Sequence, residues 1–387
     1  MLQWPHVAVF GALPTVGLIA GPSYAGLIFG LGVVLLAHGI VTERRFPVID
    51  RELGLIAVAF AMLCWASAAW SIDPARSLVS ALDVTAILAG ALVFLGGPPL
   101  ADRTLERLFG VLVMATLLGA ALVVADDVLG YPLQSLISGR PDPIAATKYN
   151  RGIDYLVLII WPQFAFVAYR RRWRDALSLA ACVAVILAIG ASLAGQVAAL
   201  VGMLVLGLAL WLPRAAAPTC TGGMVLLVAG LPFGLRFLAE HRTTLAPFVK
   251  SSGLHRLEIW DYMTAHVFER PLLGWGIASS IGVPITQDEM SHYVVQHGQG
   301  IYPHNQWLQL WIETGALGAA IGLAFALLVV HRIQLLAAPL RPFAYAAFAS
   351  AVTESCVNFE VTTDSWWAAL AASGYLLARL GYRADPR

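Results

Sequence analysis

The chain has 387 residues, of which 59% are hydrophobic and only 12% are charged. An ordinary soluble fold carries about 25% charged residues. This composition therefore excludes a soluble fold and predicts a polytopic membrane protein. The net charge of +1 argues against a nucleic acid as a partner. The four cysteines have neither disulfide spacing nor the spacing of metal ligands.

Apolar runs of roughly bilayer length predict an all-α fold with about twelve transmembrane helices. The runs lie near 7–20, 24–41, 53–70, 78–96, 107–125, 152–169, 175–190, 193–212, 222–239, 305–330, 337–356 and 364–382. No Lys or Arg precedes the first run, so we expect a true span there and not a cleaved signal peptide. We expect three parts: N-terminal helices in 1–125, a central part in 126–330 and two C-terminal helices in 331–387.

The distribution of basic residues predicts the orientation of the chain. Placing the N-terminus in the cytoplasm puts most of the 24 Lys and Arg residues on the inner side, including the basic loop 170–174. The positive-inside rule therefore favours cytoplasmic termini. Two long polar intervals, 126–151 and 240–304, then face the outer side as a candidate ectodomain. Within the second, the pattern of 254–263 predicts an amphipathic helix that lies at the membrane interface.

A polar stripe opens the apolar run that follows the second interval. Asn305 is placed to cap a helix, and Gln306, Gln309 and Glu313 recur at spacings of three and four, so they share one helix face. Polar groups are costly in contact with lipid, so we expect this face to line a cavity. Glu313 lies more than two turns inside the helix, which favours a buried supporting role.

Basic and titratable residues recur where outer loops meet helices. Arg151 opens the sixth predicted helix, Arg256 lies on the interfacial helix and His304 opens the tenth. Arginine binds phosphate through two charge-assisted hydrogen bonds, so the three predict an anion site in one outer cavity. Lys148 and His255 are further candidates. The alternatives are that the arginines reach toward lipid phosphates and that the histidine bonds backbone.

Several motifs together resemble the O-antigen ligase and O-antigen polymerase family. They are Pro303-His304-Asn305 followed by Leu308-Gln309 and Glu313-x-Gly315, Arg256-x-x-x-Trp260, the segment 271–276, Asn150-Arg151-Gly152, and Ser192 with Gln196. They cover roughly 150–320, and the last two resemble the ligase branch. Many members of this family have an arginine where this chain has Gln196, so we expect a weaker contact at that position.

The resemblance implies an inner-membrane glycosyltransferase that takes a glycan from undecaprenyl diphosphate on the periplasmic side. Ligases transfer it to a sugar hydroxyl of lipid A–core, whereas polymerases transfer it to another lipid-linked glycan. The implied reaction inverts the anomeric centre and needs no metal or other cofactor. Arg151 and Arg256 would hold the diphosphate, and His304 would act as the base or orient the diphosphate. The implied substrate contacts are Lys148, Gln196, His255, Trp260, Asn305 and Gln309, with Glu313 as structural support.

Two alternatives to a ligase stay open at this point. A polymerase would share the site and differ in its acceptor pocket, and no motif in this sequence indicates which acceptor the pocket binds. A secondary anion transporter would also use many helices and outer arginines. Such a transporter is expected to show an inverted repeat, paired broken helices and an intramembrane acidic relay, none of which is evident in the sequence.

Overall fold

The chain folds into a bundle of helices. The structure, a computed structural model, describes residues 4–139, 145–241, 244, 251–284 and 302–381. These residues form helices joined by turns and contain no strand, which confirms the predicted all-α fold.

Fourteen α-helices occur in the described residues. In chain order they are α1 Trp4–Ile19, α2 Ser23–His38, α3 Arg51–Ser67, α4 Pro74–Leu95, α5 Asp102–Val128, α6 Pro132–Ser138, α7 Asn150–Tyr169, α8 Trp173–Ile189, α9 Leu193–Trp211, α10 Pro213–Glu240, α11 Ser251–Val267, α12 Gln306–Leu335, α13 Arg341–Val357 and α14 Asp364–Gly381. A π-helical turn, Gly39–Glu43, extends α2, and a 3-10 turn, Ala145–Tyr149, leads into α7.

Seven helical segments among the described residues are long and apolar enough to cross a membrane. They are Ser23–Glu43, Pro74–Leu95, Asp102–Val128, Thr147–Tyr169, Leu193–Trp211, Pro213–Glu240 and Gln306–Leu335. The chain is therefore a multi-pass membrane protein. All twelve predicted runs coincide with helices, but the number of twelve spans stays a prediction because five of these helices do not meet the same length and hydropathy criteria.

The helix boundaries depart from the predicted runs in three places. Helix α10 begins nine residues before its predicted start at 222, because Pro213 occupies its first position, where a missing N–H is harmless. Cys220, which precedes the predicted run, therefore lies inside α10. The short helix α6 falls within the interval 126–151, which was predicted only as a polar loop. The interfacial helix is longer than predicted and spans all of α11.

Two groups of buried apolar side chains hold the described helices together. The first is formed mainly by α1, α2, α5, α7, α8, α13 and α14. The second joins α3, α4, α10, α11 and α12. Arg151 belongs to a helix of the first group, and Arg256 and His304 adjoin helices of the second. The candidate site therefore lies where the two groups meet.

The segment after α11 is locked to α12 through backbone hydrogen bonds. The amides of Trp275 and Gly276 donate to the carbonyls of Ile312 and Glu313, and Ala316 N donates to Pro271 O. Helix α12 is broken at Gly315, which has φ 64° and ψ −162°. The break exposes backbone groups of α12 to the loop, and the loop satisfies them. The motifs 271–276 and 313–315 are thus two halves of one structural unit.

Candidate functional site

The turn that carries His304 is held from both sides. Trp260 of α11 donates its indole N–H to Pro303 O at 2.7 Å. Asn305 caps α12, since its Oδ1 accepts from the amides of Trp307 at 3.1 Å and Leu308 at 3.0 Å. Between these two anchors His304 adopts φ 49°, a left-handed conformation that is uncommon for a residue other than glycine. Such strain occurs where the surroundings impose a required side-chain direction.

The first turns of α12 hold the polar stripe inside the protein. Gln309 is fully buried; its Oε1 accepts from Val361 N at 2.9 Å, and its Nε2 lies 3.2 Å from both oxygens of Glu313. Glu313 also accepts a 2.7 Å hydrogen bond from Ser280 Oγ. The stripe therefore connects α12 to the loop after α11 and to the α13–α14 connection.

Arg151 projects from the N-terminus of α7, which packs closely on the end of α1. A Cβ added at Gly152 would lie 2.5 Å from Gly17 O and 2.5 Å from Leu18 Cα. Only glycine allows this approach, so Gly152 fixes the position of the neighbouring arginine. An added Cβ at Gly21 would lie 3.0 Å from Arg151 Cβ, so the base of the arginine side chain lies against the turn between α1 and α2.

Neither Arg151 nor Arg256 is neutralised by direct contact with an acid. Within the described residues, neither guanidinium has a carboxylate oxygen within 4.0 Å. Arg256 is half-buried and Arg151 is exposed. Two arginines without direct protein anions, at one end of a membrane bundle, are suited to bind an anionic group from outside the chain.

The charges of the site act on His304. Burial lowers the pKa of its imidazole, and the nearby charges of Arg256, His255 and Arg151 lower this pKa further. Burial also lowers the pKa of the Arg256 guanidinium, whereas Asp154 and Glu354 raise it. His304 is consequently neutral near pH 7, the form that accepts a proton.

A buried acidic pair lies beneath the arginines, and the sequence analysis did not include it. Asp154 of α7 accepts hydrogen bonds from the hydroxyl of Ser192 and from the amide of Asn358. Glu354 of α13 interacts electrostatically with Asp154 and Arg256. Asp154 and Glu354 are fully buried, and neither oxygen of Glu354 makes a hydrogen bond of normal geometry in the described part of the chain, although the amide of Asn358 lies beside it.

The sequence offers only a weak signal for this pair. The available sequence signal was the three-residue spacing of Arg151 and Asp154, which puts both on one face of α7. Glu354 lies on the last turn of α13, and Asn358, four residues further along the chain, is the residue directly after the end of this helix. A third acid, Glu360, lies in the connection to α14. Burial raises the pKa of its carboxyl group, and the charge of Arg151 offsets part of that rise.

The other residues predicted to contact the substrate differ in their exposure to solvent. Lys148 and His255 are exposed beside Arg151 and Arg256, respectively. Gln196 is half-buried and donates through Nε2 to Leu187 O at 2.7 Å, at the end of α8. Its amide nitrogen therefore serves helix packing, as does the hydroxyl of Ser192. Gln309 and Asn305 are buried behind the turn that carries His304, and their side chains accept hydrogen bonds from backbone amides around the site.

The part of the chain that the structure describes contains no candidate metal-binding cluster. No group of three or more His, Cys, Asp or Glu residues there is arranged to hold an ion. Three further acids of the polar intervals, Asp142, Asp288 and Glu289, lie outside the described residues. Metal independence stays a prediction.

These features define a class: a multi-pass membrane protein with a cationic site that adjoins a strained, neutral histidine. Residues 149–323 match the model of the O-antigen ligase family. A Rickettsia bellii protein named "Putative polysaccharide ligase" is 25% identical over 334 residues, covering 84% of this chain and 79% of its own. A Rickettsia felis protein of the same name is 23% identical over 396 residues, covering 95% and 94%. These similarities confirm the predicted resemblance to the O-antigen ligase family and support a ligase/polymerase-like membrane enzyme.

Proposed function

We propose that the chain transfers a polysaccharide from undecaprenyl diphosphate to a sugar hydroxyl of lipid A–core, at the periplasmic face of the inner membrane. One observation carries the proposal: Arg151 and Arg256, without ion pairs in the described residues, converge with His304 at one mouth of the bundle. This arrangement suits a reaction in which negative charge develops on a diphosphate while a hydroxyl loses a proton.

The reaction we propose is a single displacement. The acceptor hydroxyl attacks the anomeric carbon as the bond from that carbon to the diphosphate oxygen breaks, which inverts the anomeric centre. Arg151 and Arg256 neutralise the developing charge, and each well-aimed donor contributes about 3 kcal/mol. His304 accepts the proton of the hydroxyl. Lys148 adds positive charge at the rim and His255 adds a polar contact there, while Trp260, Asn305, Gln309 and Glu313 hold the turn and α12 in place.

Ligase activity is favoured over polymerase activity by two observations. The element Asn150-Arg151-Gly152 resembles the ligase branch, and both named relatives are called polysaccharide ligases. A deletion strain distinguishes the two functions. Uncapped core with polymer left on undecaprenyl diphosphate indicates a ligase, whereas single-repeat products indicate a polymerase.

Three substitutions test the site directly. Arg151→Ala, Arg256→Ala and His304→Ala are expected to abolish transfer while the protein stays folded in the membrane. Arg236→Ala is the matched control, because Arg236 is exposed and already paired with Glu240 at 3.3 Å. Full activity of both site-arginine variants would contradict the diphosphate assignment. Loss of folding in His304→Ala would instead assign this histidine a structural role.

Metal independence has a separate test. Purified protein treated with excess chelator is expected to keep its full rate of transfer, because the arginines supply the charge that Mg²⁺ supplies in many other transferases. Loss of activity that added metal restores would contradict this part of the proposal.

A further inference from the structure

The connection between α5 and α6 is built around the carboxylate of Asp126. This residue lies on the last turn of α5 and is buried. Its Oδ1 accepts a hydrogen bond from Leu133 N at 2.5 Å, and its Oδ2 accepts from Gln134 N at 3.4 Å, both in the first turn of α6. The same Oδ2 accepts from the hydroxyl of Tyr149 at 2.5 Å. A single carboxylate therefore joins the end of α5, the start of α6 and the residue that precedes α7.

The side chain of Tyr149 sets the rotation of α7 about its axis. Tyr149 directly precedes α7, already has helical φ and ψ, and makes no capping hydrogen bond with its side chain. Its buried ring and its hydroxyl bond to Asp126 hold the start of the helix instead. Residues two apart on a helix lie about 200° apart around the axis. An inward Tyr149 therefore turns Arg151 outward, and Arg151 is indeed exposed.

A second anchor lies on the other side of Arg151 along the chain. Gly152 packs against the end of α1, where an added Cβ would lie 2.5 Å from Gly17 O. The α5–α6 connection is tied to the same part of α1, because Gln134 Nε2 donates to Ile19 O at 3.4 Å. Gly152 thus sets how closely α7 approaches α1, whereas the hydroxyl bond of the preceding tyrosine sets how the helix is rotated.

We propose that Asp126 is a positioning residue, which acts through Tyr149 to orient Arg151 toward the anionic group of the donor. The inference rests on the proposed function, in which Arg151 holds the diphosphate. Misplacement of a catalytic group by about 1 Å can lower a rate about a hundredfold, so a small rotation of α7 is enough to weaken the contact. A purely structural role would lower stability without acting selectively on the contribution of Arg151.

The experiment measures binding of farnesyl diphosphate, a short prenyl diphosphate, to the purified full chain by calorimetry. Tyr149→Phe removes only the hydroxyl and is expected to raise Kd about fivefold. Tyr131→Phe is the matched control, because the Tyr131 hydroxyl donates to Asp127, the next carboxylate of α5, and this bond stays within the α5–α6 connection. Each variant loses one bond from a tyrosine to a carboxylate. Melting temperatures are therefore expected to fall in both variants, while Kd changes only in the first.

A double-mutant cycle separates positioning from general stability. In an Arg151→Ala background, Tyr149→Phe is expected to leave the remaining, weaker binding unchanged, because its effect passes through the arginine. Asp126→Ala is expected to raise Kd as Tyr149→Phe does. Asp126→Asn is expected to keep Kd near that of the wild type. Its amide oxygen can accept from Leu133 N while its amide nitrogen donates to the hydroxyl oxygen of Tyr149.

The outcomes separate this inference from the function on which it rests. Unchanged binding in Tyr149→Phe, or an equal loss with and without Arg151, overturns the inference while the diphosphate site stands. If Asp126→Ala fails to fold, Tyr149→Phe decides alone, because it keeps the carboxylate and the aromatic ring. Wild-type protein whose binding of the probe is absent, or is unaffected by Arg151→Ala, overturns the assignment of Arg151 to the diphosphate and the inference together.

Discussion

His304 combines a left-handed backbone with an imidazole whose pKa lies below its ordinary value of 6.5. Both features follow from its neighbours: the anchors at Pro303 and Asn305 impose the backbone, and burial beside Arg256 disfavours the imidazolium. In the proposed reaction His304 is therefore a neutral base, and the arginines proposed to bind the leaving group also keep this base unprotonated.

The pH dependence of transfer is the first prediction. The acid limb of kcat/KM is expected below pH 6.5, because His304 stays neutral until the pH falls under its lowered pKa. Stability falls in the same direction: between the two pKa values the unfolded chain binds a proton that the folded chain does not, so folding is weakened as pH falls through this window. A pH–rate profile and thermal melts check both effects, and an acid limb above pH 7 would contradict the assignment.

Glu354 gives a prediction about stability. Its oxygens lack hydrogen bonds of normal geometry in the described residues, so Glu354→Met is expected to stabilise the protein by about 1–3 kcal/mol while it lowers activity. The same change at Glu313, which accepts from Ser280 and Gln309, is expected to destabilise the protein by about 2 kcal/mol. Thermal melts in detergent measure both variants. A lower melting temperature for Glu354→Met would show that this acid supports the fold.

At the scale of single residues, the sequence indicated the cations of the site but not its acids. Arg151, Arg256 and His304 stand at polar junctions that can be recognised locally. The Asp154 carboxylate is held by hydrogen bonds from Ser192, 38 residues away, and from Asn358, 204 residues away. No local pattern reports contacts of that separation.

Among the elements, the loop after α11 and the broken helix α12 depend on two glycines. Gly274 has φ 66°, and an added Cβ would lie 2.5 Å from the backbone carbon of Glu313. Gly315 has φ 64°, and an added Cβ would lie 2.4 Å from Leu272 O. The two glycines therefore let the backbones of the loop and the helix approach each other.

Gly274→Ala is accordingly expected to destabilise the protein by about 3 kcal/mol and to abolish transfer, since clash and backbone strain combine. Gly110→Ala is its control, because Gly110 lies within α5 with no atom near an added Cβ, and we expect about 0.5–1 kcal/mol of stabilisation there. The two melting temperatures check the contrast. Equal behaviour of the variants would show that the loop adapts to the added methyl group.

The link between α11 and the His304 turn makes a further prediction. Trp260→Phe keeps the ring but removes the hydrogen bond to Pro303, so it is expected to cost about 1 kcal/mol of stability and to slow turnover several-fold. Trp65→Phe, which removes an exposed bond to Thr85, is expected to leave turnover unchanged. Rates and melts of both variants test the link, and a Trp260→Phe enzyme of normal rate would remove Trp260 from the site.

For the whole molecule, orientation in the membrane is the quantity to test. We expect the site end to face the periplasm and the basic loop after α7 to face the cytoplasm. In a chain without its four native cysteines, Lys148→Cys is expected to react with a membrane-impermeant maleimide applied to spheroplasts. Arg172→Cys, also exposed, is expected to react only after lysis. The reverse pattern would invert the proposed topology.

The sequence by itself determined the class of the protein and the position of its helices, because hydrophobic composition and run length report on the bilayer directly. It also determined which cations stand at helix junctions, and its motifs carried the family resemblance. The tertiary structure decided how these parts act together. The break at Gly315, the engagement of Gln196 and Gln309 by backbone groups, and the placement of Asp154 beneath Arg151 and Arg256 all depend on contacts between distant segments, which pack against one another only in the folded chain.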